Sequence, residues 1–342
     1  MNLHELLTIP DSAKNTSRLK YYIGFDGGQT KSEAILANSE GEVLAYYRCG
    51  DTNHQNIGIK NTYVLINDAV RSLLLQAKLT IEDIAYTCLG LAGADLECDF
   101  KILNENLSPI FQNKNYLIKN DAWVALAAGT RLNYGAVSIC GTSHNIAVRN
   151  KLGEEDILIS LSYEAGNFGG GDNIAKETLH RTFRAYEHTD KSTILTRVIP
   201  KAFDKESMED IIEIVGWNRY SKEELHRIPK IVFECAASGD EVAQEIVSSM
   251  GTEIGKALAG KIIHAGMEKE AVPVVLSGSL FSKACTNLHV EYLTLELQSK
   301  VANADIIINC SPPVIGGVFE AMRHTDKEVK EEVFQKLKEV RF

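Results

Sequence analysis

The first clear pattern in the chain is an apolar run, YYIGFDGG (21–28), that breaks at an aspartate and two glycines and then resumes strand-like alternation to about residue 36. Alternation with a period of two is typical of strands, so this stretch predicts two strands joined by a short turn. A polar turn at 39–42 precedes a further apolar stretch, GEVLAYYRCG (41–50), which predicts a third strand.

Helical spacing follows. Apolar residues recur every three or four positions over 56–77, which predicts an amphipathic helix. An apolar run that ends in glycine (84–93) predicts a strand that leads into a loop. The pattern then predicts a helix at 96–112, a strand at 115–121 and a helix at 122–130 that begins directly after Asp121.

The layout of the opening then repeats in the segment YGAVSICGTSHNIAVRNKLGEEDILISL (134–161), which again predicts strand, glycine turn, strand, Gly-Glu turn and strand. When Gly28 is aligned with Gly141, the later turn glycines Gly41 and Gly153 lie 13 and 12 residues downstream. A duplicated unit of this kind predicts two similar halves that face one another.

Largely helical sequence occupies 172–188, 205–215 and 221–267, and strands are predicted at 272–278 and 304–310, before a closing helix from about Ile315. The mixture of strands and helices predicts an α/β fold with two sheets. The domain boundary is expected near 121–134. We expect an arm at 1–20, a first domain at 21–121 that also takes in about 315–342, and a second domain at 122–314. The Lys/Glu-rich tail (327–339) is expected to be a solvated helix face.

Length and composition limit the number of domains and the classes of function that the chain can have. A chain of 342 residues exceeds one ordinary core, which favours two domains. The net charge of −10 argues against a broad nucleic-acid-binding face, so any anionic ligand must be held locally by backbone amides, a few cations or a metal. Seven scattered cysteines without a CxxC pair are typical of reduced thiols in a cytoplasmic protein. We expect neither a signal peptide nor a membrane span.

Two glycine turns are candidate ligand sites. The stretch DGGQTKS (26–32) can be a type I′ or II′ hairpin turn, or a concave nest of N–H groups that binds an anion. The stretch CGTSH (140–144) has the same character in the second half. Each alone is as simply explained by a turn, but two such turns at equivalent places of a duplicated unit favour phosphate binding from both sides of a cleft.

Four further stretches are candidates. Asp121 can be the N-cap of the helix that follows it, or, between the two glycine turns, a catalytic base. The stretch VVLSGSLF ends a predicted strand in a Ser-Gly-Ser turn, where α/β sheets often bind ligands. The glycine-rich run at 166–173 can be a hinge or a substrate loop, and the amide-rich stretch at 51–58 a surface loop or a substrate loop. His54 and His144 have no metal-like partners in sequence, so we expect neither to bind a metal.

The ordered set DGGQTK, NHQNIG, LGLAGAD, ND…ALAAG, ICGTS, GNFGGG, VVLSGSLF and SPPVIGGVFEAM resembles the BadF/BadG/BcrA/BcrD ATPase family. Within it the chain is most similar to the N-acetylglucosamine kinase branch of the sugar kinase/Hsp70/actin superfamily, over roughly residues 20–325. The resemblance implies two ribonuclease-H-like domains that close over an ATP cleft.

The resemblance also implies roles for individual residues. Asp121 would be the catalytic base, and Asp26 would lie near Mg²⁺. The residues that the resemblance places on ATP are Asp26, Gly27, Gly28, Gln29, Thr30, Lys31, Gly141, Thr142, Ser143, Gly278 and Ser279. Those that it places on the sugar are Asn53, His54, Gly93, Asp121, Thr142, Gly166, Asn167, Gly169 and Gly170.

The expected reaction is transfer of the γ-phosphoryl group of ATP to the 6-hydroxyl of N-acetylglucosamine or a related sugar, by a cytoplasmic homodimer. Three departures from the family pattern bear on this: Gln29 and Ser143 stand where glycine is usual, and Asn167 stands where aspartate is usual. Glucosamine and N-acetylmuramic acid remain alternative substrates. An iron–sulfur-carrying ATPase activase, as in the family's namesake members, and a sugar-binding protein without turnover remain alternative functions.

Overall fold

The computed structural model describes residues 19–342 except 113, 160–162 and 164. Within these residues the strands form two five-stranded sheets, in the orders β3-β2-β1-β4-β5 and β10-β9-β6-β7-β8. The first sheet comprises β1 (Tyr21–Gly27), β2 (Ser32–Asn38), β3 (Val43–Cys49), β4 (Ile84–Leu91) and β5 (Tyr116–Asn120). The second comprises β6 (Gly135–Cys140), β7 (His144–Arg149), β8 (Glu155–Ile157), β9 (Val272–Ser277) and β10 (Ala304–Ile308).

The two sheets share one connectivity. In each, the first three strands form an antiparallel meander, and two later strands extend the sheet parallel to the first strand of that meander. The predicted duplication is therefore confirmed, and so is the α/β class with two sheets. Because β1 and β6 occupy equivalent positions, the turns that follow them occupy equivalent positions as well.

The helices fill the connections between strands and cover the sheets. They are α1 (His54–Ile57), α2 (Ile59–Ala77), α3 (Glu97–Leu107), α4 (Asp121–Gly129), α5 (Gly171–Tyr186), α6 (Leu195–Val198), α7 (Ile212–Gly216), α8 (Lys222–Ala237), α9 (Glu241–His264), α10 (Ser279–Ser282), α11 (Leu288–Gln298), α12 (Val314–Asp326) and α13 (Glu331–Lys338). None of these helices combines the length and the apolar character that a membrane span requires.

Helices α4 and α12 lie between the two sheets. One face of α4, with Val124, shares an apolar core with α12 and the first sheet, and the opposite face, with Leu126, shares a core with the second sheet. The two helices approach so closely that a Cβ on Gly316 would lie 1.9 Å from the Val124 carbonyl oxygen. Because both faces of α4 are packed, its first residue, Asp121, is fixed relative to both sheets.

Two features of the second half of the chain were not predicted. Helix α11 packs along α9, where a Cβ on Gly251 would meet the His289 carbonyl oxygen at 2.0 Å. The tail was expected to be solvated, and for one face of α13 this is wrong. Val333, Phe334 and Leu337 are buried in the core that α12 forms with the first sheet. Their period of three to four was hidden in the sequence by the surrounding lysines and glutamates.

Candidate active site

Asp121 is the first residue of α4 and directly follows β5. The N-cap of the helix is Asn120, whose Oδ1 accepts from the Ala122 N–H at 2.9 Å. The N-cap interpretation of Asp121 is therefore wrong, because the preceding asparagine performs that function. The Asp121 carboxylate is instead part of the wall of a small cavity.

This cavity, which we call the Asp121 cavity, has a volume of about 80 Å³. Its walls come from the ends of strands in both sheets, so it lies between the two halves of the chain. It is lined by Gln29, Ala92, Gly93, Asp95, Asn120, Asp121, Ile139, Ser143, His144 and Asn145. Gln29 belongs to the first glycine turn and Ser143 to the second, so the two turns and Asp121 share one crevice.

The surroundings of Asp121 raise its pKa to about 7. Withdrawal from water is the largest cause, and the negative charges of Asp26 and Asp95 add to it, while the backbone N–H of Ala122 opposes it. A carboxylate with a pKa near neutrality can both accept and release a proton at physiological pH, as general base catalysis requires.

Asp26, at the end of β1, has the largest effect of the charges that disfavour ionisation of Asp121. Its own pKa is also raised to about 7, first by burial and then by the charge of Glu33, with Lys31 acting in the opposite direction. The Lys31 ammonium donates to the Glu33 carboxylate at 3.2 Å. Two carboxylates and one lysine thus meet at the base of the first glycine turn.

The first turn is neither type I′ nor type II′, because Gly27, Gly28, Gln29 and Thr30 are absent from the residues with positive φ. The predicted turn type is therefore wrong, although β1 and β2 do form an antiparallel hairpin around this turn. The glycines are required for space instead. A Cβ on Gly27 would lie 2.6 Å from Leu91 Cδ2, and one on Gly28 would lie 2.6 Å from the Lys31 carbonyl oxygen. The Gly28 N–H closes the turn by donating to the Lys31 carbonyl oxygen at 3.1 Å.

The second turn is held by the start of α5. The Gly171 N–H donates to the Gly141 carbonyl oxygen at 2.7 Å, and the Asp172 N–H donates to the Thr142 carbonyl oxygen at 3.0 Å. A Cβ on Gly141 would meet no heavy atom within 4 Å. The backbone at Gly141 is therefore open on its Cβ side, as a ligand-binding turn requires.

A second and larger space, the Gly278 cavity, has a volume of about 540 Å³ and adjoins both halves of the chain. The Gly278 turn lies directly against the second glycine turn, since a Cβ on Gly278, whose φ is +103°, would be 2.3 Å from the Cys140 carbonyl oxygen. The charged and turn residues of its lining are Asp26, Lys31, Glu33, Arg48, Gly278, Ser279, Lys283 and Arg341. Four of these are cations, and two are carboxylates.

Asn53 and His54, predicted to contact substrate, lie behind the wall of the Asp121 cavity. Gly93 has a φ of +81°, and a Cβ there would be 2.4 Å from Asn53 Oδ1, so glycine allows the wall to lie against this asparagine. His54 is buried and its Nε2 lies 3.1 Å from Asp99 Oδ1. This pairing occupies Nε2, while Nδ1 is buried without a hydrogen-bond partner among the described residues. That His54 binds no metal stays a prediction.

The glycine-rich loop covers His144. A Cβ on Gly169, whose φ is +115°, would lie 3.1 Å from His144 Cγ, and one on Gly170, whose φ is +83°, would lie 2.6 Å from the Ser143 carbonyl carbon. Asn167 Nδ2 lies 3.4 Å from the His144 carbonyl oxygen. The His144 ring bonds to Ser138 Oγ at 2.9 Å. Within the described part of the chain, no group of three or more potential ligands could hold a metal ion.

The predicted site residues therefore fall into three groups. Gln29, Gly93, Asp121 and Ser143 line the Asp121 cavity, and Asp26, Lys31, Gly278 and Ser279 line the Gly278 cavity. The third group consists of predicted residues that line neither cavity. They are Gly27, Gly28, Thr30, Asn53, His54, Gly141, Thr142, Gly166, Asn167, Gly169 and Gly170.

Asp95 was not predicted, although it lines the Asp121 cavity. Asn120 Nδ2 donates to Asp95 Oδ1 at 2.7 Å, so one asparagine holds Asp95 and caps the helix that carries Asp121. The signal in the sequence was a polar residue just beyond the glycine turn that ends β4, a strand parallel to β1. Arg48, Lys283 and Arg341 were missed for a different reason, because they come from distant parts of the chain and meet only in the fold.

Comparison with known proteins gives one family and several relatives. The model of the BadF/BadG/BcrA/BcrD ATPase family matches residues 23–321. The chain is 25% identical over 317 residues to an N-acetyl-D-glucosamine kinase of Dictyostelium discoideum, covering 88% of this chain and 97% of the relative. It is 23% identical over 264 residues to an N-acetylmuramic acid/N-acetylglucosamine kinase of Clostridium acetobutylicum, covering 77% and 86%.

A solved structure from Chromobacterium violaceum, of a candidate N-acetylglucosamine kinase, superimposes with a TM-score of 0.64. It is 19% identical, and the match covers 88% of this chain and 99% of that one. This likeness establishes the fold that the two chains share.

Proposed function

The chain belongs to the BadF/BadG/BcrA/BcrD ATPase family, and from this we propose that it is an ATP-dependent amino-sugar kinase that phosphorylates the 6-hydroxyl of N-acetylglucosamine or a close relative. One observation carries the proposal. Asp121, a carboxylate with a pKa near 7, lines the small Asp121 cavity together with a second carboxylate, Asp95. The larger Gly278 cavity, which is lined by four cations, adjoins the same glycine turns. The activities of the related kinases support the class of substrate.

The Gly278 cavity is the proposed ATP site. Its volume of about 540 Å³ lies in the range of small-molecule sites, and Lys31, Arg48, Lys283 and Arg341 complement a polyphosphate. The turn at Gly278 and Ser279 would contact the adenosine. The glycine turns would place backbone N–H groups and the Thr142 hydroxyl near the phosphates, and the open side of Gly141 leaves room for that approach.

The residues near Asp26 fit a magnesium ion. Asp26 and Glu33 repel one another, and the pKa of Asp26 is raised to about 7, so a divalent cation would offset charge that Lys31 only partly balances. Magnesium needs only one or two carboxylates when substrate phosphates and water complete its shell. Asp26 would hold the ion, largely through water. When bound, magnesium neutralises charge on the β- and γ-phosphates.

In the proposed reaction, the sugar binds in the Asp121 cavity against the wall formed by Gly93 and Asn53 and under the glycine-rich loop. Asp121 accepts a hydrogen bond from the 6-hydroxyl and so orients it toward the γ-phosphorus. A new bond forms between the sugar oxygen and phosphorus while the bond to the β–γ bridging oxygen breaks. ADP departs with that electron pair, and the hydroxyl proton passes to Asp121.

Alignment of the reacting groups and exclusion of water account for the rest of the proposed mechanism. Phosphoryl transfer depends on alignment and charge stabilisation more than on covalent chemistry by the protein. Because the Asp121 cavity is walled by both halves of the chain, closure of the halves would remove water that competes with the sugar as acceptor.

The test is ADP release measured with ATP and magnesium across glucosamine, N-acetylglucosamine and N-acetylmuramic acid. We expect sugar-dependent release with N-acetylglucosamine and its loss when EDTA removes the metal. No release with any of the three sugars would contradict the proposal and favour a sugar-binding protein without turnover. Iron in a preparation made under anaerobic conditions would favour the activase alternative. Homodimer formation and a cytoplasmic location stay predictions.

A further inference from the structure

The two cavities differ in charge. The described residues that line the Asp121 cavity include Asp95 and Asp121 but neither lysine nor arginine. The Gly278 cavity is lined by Lys31, Arg48, Lys283 and Arg341. An anionic ligand group is therefore matched by cations in the larger cavity alone.

Asp95 is held rigidly at the wall of the smaller cavity. Asn120 Nδ2 donates to its Oδ1 at 2.7 Å, and Asn120 is itself fixed because it caps α4. On the other side lies Asp99, which accepts from Gln55 Nε2 at 3.1 Å and pairs with His54. Burial, and then the charge of Asp99, raise the pKa of Asp95, while the His54 ring and the Asn120 amide oppose this.

Asp95 also acts on Asp121, because its negative charge contributes to the raised pKa of Asp121. Among the described residues, the charged groups that act on Asp95 are the acidic Asp99 and the basic His54, and His54 is already bonded to Asp99. A further carboxylate placed in this cavity would find no free cation among its lining residues, and it would lose its water.

We propose that Asp95 is a specificity-determining residue, which accepts hydrogen bonds from sugar hydroxyls and makes this site reject amino sugars that carry a carboxylate. This inference rests on the proposed function and names its substrate class as neutral and cationic amino sugars. N-acetylmuramic acid carries a lactyl carboxylate and is rejected, while N-acetylglucosamine and glucosamine are admitted.

The size of the effect follows from the like charges. If the lactyl carboxylate of the sugar lies about 6 Å from the Asp95 carboxylate in a site of effective dielectric near 20, their repulsion lowers binding by about 100-fold. A difference of this size separates the effect of charge from the smaller changes expected from imperfect fit.

The test compares N-acetylmuramic acid with its methyl ester, which retains the bulk of the lactyl group and removes the charge. With the wild-type protein we expect kcat/KM for the ester to exceed that for the acid by about 100-fold. In Asp95→Asn the amide oxygen can still accept from Asn120, so the fold is retained, and the ratio is expected to fall to about tenfold or less. Glu97→Gln removes the same charge from an exposed position two residues away and should leave the ratio unchanged.

Equal use of the acid and the ester by the wild-type protein would overturn the proposal, and so would an unchanged ratio in Asp95→Asn. A change of equal size in Glu97→Gln would also overturn it, because net charge rather than Asp95 would then set the preference. These outcomes differ from failure of the kinase assignment, in which N-acetylglucosamine itself gives no ADP. Circular dichroism and the thermal midpoint of each variant confirm that the comparison is made on folded protein.

Discussion

Replacing Asp121 by asparagine should stabilise the ligand-free protein while it abolishes turnover. The structure raises the pKa of this carboxyl from 3.8 to about 7. Between these pH values the folded chain binds a proton that the unfolded chain has released, so its stability falls as pH rises from about 4 to about 7. Above pH 7 the carboxylate is charged in both the folded and the unfolded state, and the full free-energy cost of burying that charge is present. Asparagine has no such cost.

The magnitude follows from the rise of about 3 in pKa, which corresponds to about 4 kcal/mol for a carboxylate fully withdrawn from water. Asp121 retains partial exposure at its cavity, so solvent screening reduces this to about 2 kcal/mol. At pH 5 the penalty is incomplete, and the gain should be below about 1 kcal/mol. For a chain of this length, 2 kcal/mol raises the thermal midpoint by about 3 °C.

The assay is urea unfolding of wild type and Asp121→Asn at pH 8 and pH 5, without ligands. Asp68→Asn is the matched control, because Asp68 is an exposed aspartate on α2 and its replacement should change little at either pH. A variant that is less stable than wild type at pH 8, or a gain independent of pH, would refute the view that Asp121 is held at an electrostatic cost.

Three further predictions concern the turns, the central helices and pH. Gly141→Ala should leave the thermal midpoint unchanged, because its Cβ would meet open space, but raise KM for ATP at least about tenfold if phosphates approach there; an unchanged KM would contradict the assigned ATP site. Gly316→Ala should cost about 3 kcal/mol in urea unfolding, since its Cβ would lie 1.9 Å from the Val124 carbonyl oxygen. Gly260→Ala, where the Cβ has space inside α9, should instead stabilise by about 0.5–1 kcal/mol. Equal changes in stability for Gly316→Ala and Gly260→Ala would refute the close approach of α4 and α12. The value of kcat/KM should rise about tenfold per pH unit below about 7 and level off above it, as Asp121 loses its proton; a flat profile would count against this base.

The fold was largely predictable because its signals are local. Strand alternation and the glycine turns near Gly28 and Gly141 mark the duplicated meander, and the ND dipeptide at 120–121 marks the start of α4. What the sequence left open depends on distant residues that meet in three dimensions. Nothing near Asp95 shows that Asn120 will hold it, and the chain between the two is an entire helix and strand.

Local patterns also misled where two causes give the same residue. Glycine at position 27 is explained by a positive φ or by lack of space, and only the fold shows that Leu91 and Thr52 leave no room for a Cβ. Asp121 could be a helix cap until the structure assigned that contact to Asn120. Charged residues around α13 concealed its apolar face, because three buried positions among lysines and glutamates make a weak pattern.

Single-turnover phosphoryl transfer by Asp121→Asn tests the central claim most directly. With saturating N-acetylglucosamine and magnesium, the rate of ADP formation is measured beside the affinity of the same variant for ATP. We predict a rate lower by at least about 100-fold, from loss of the base, and an ATP dissociation constant within about threefold of wild type. Transfer at the wild-type rate by a variant that lacks this carboxylate would contradict the account.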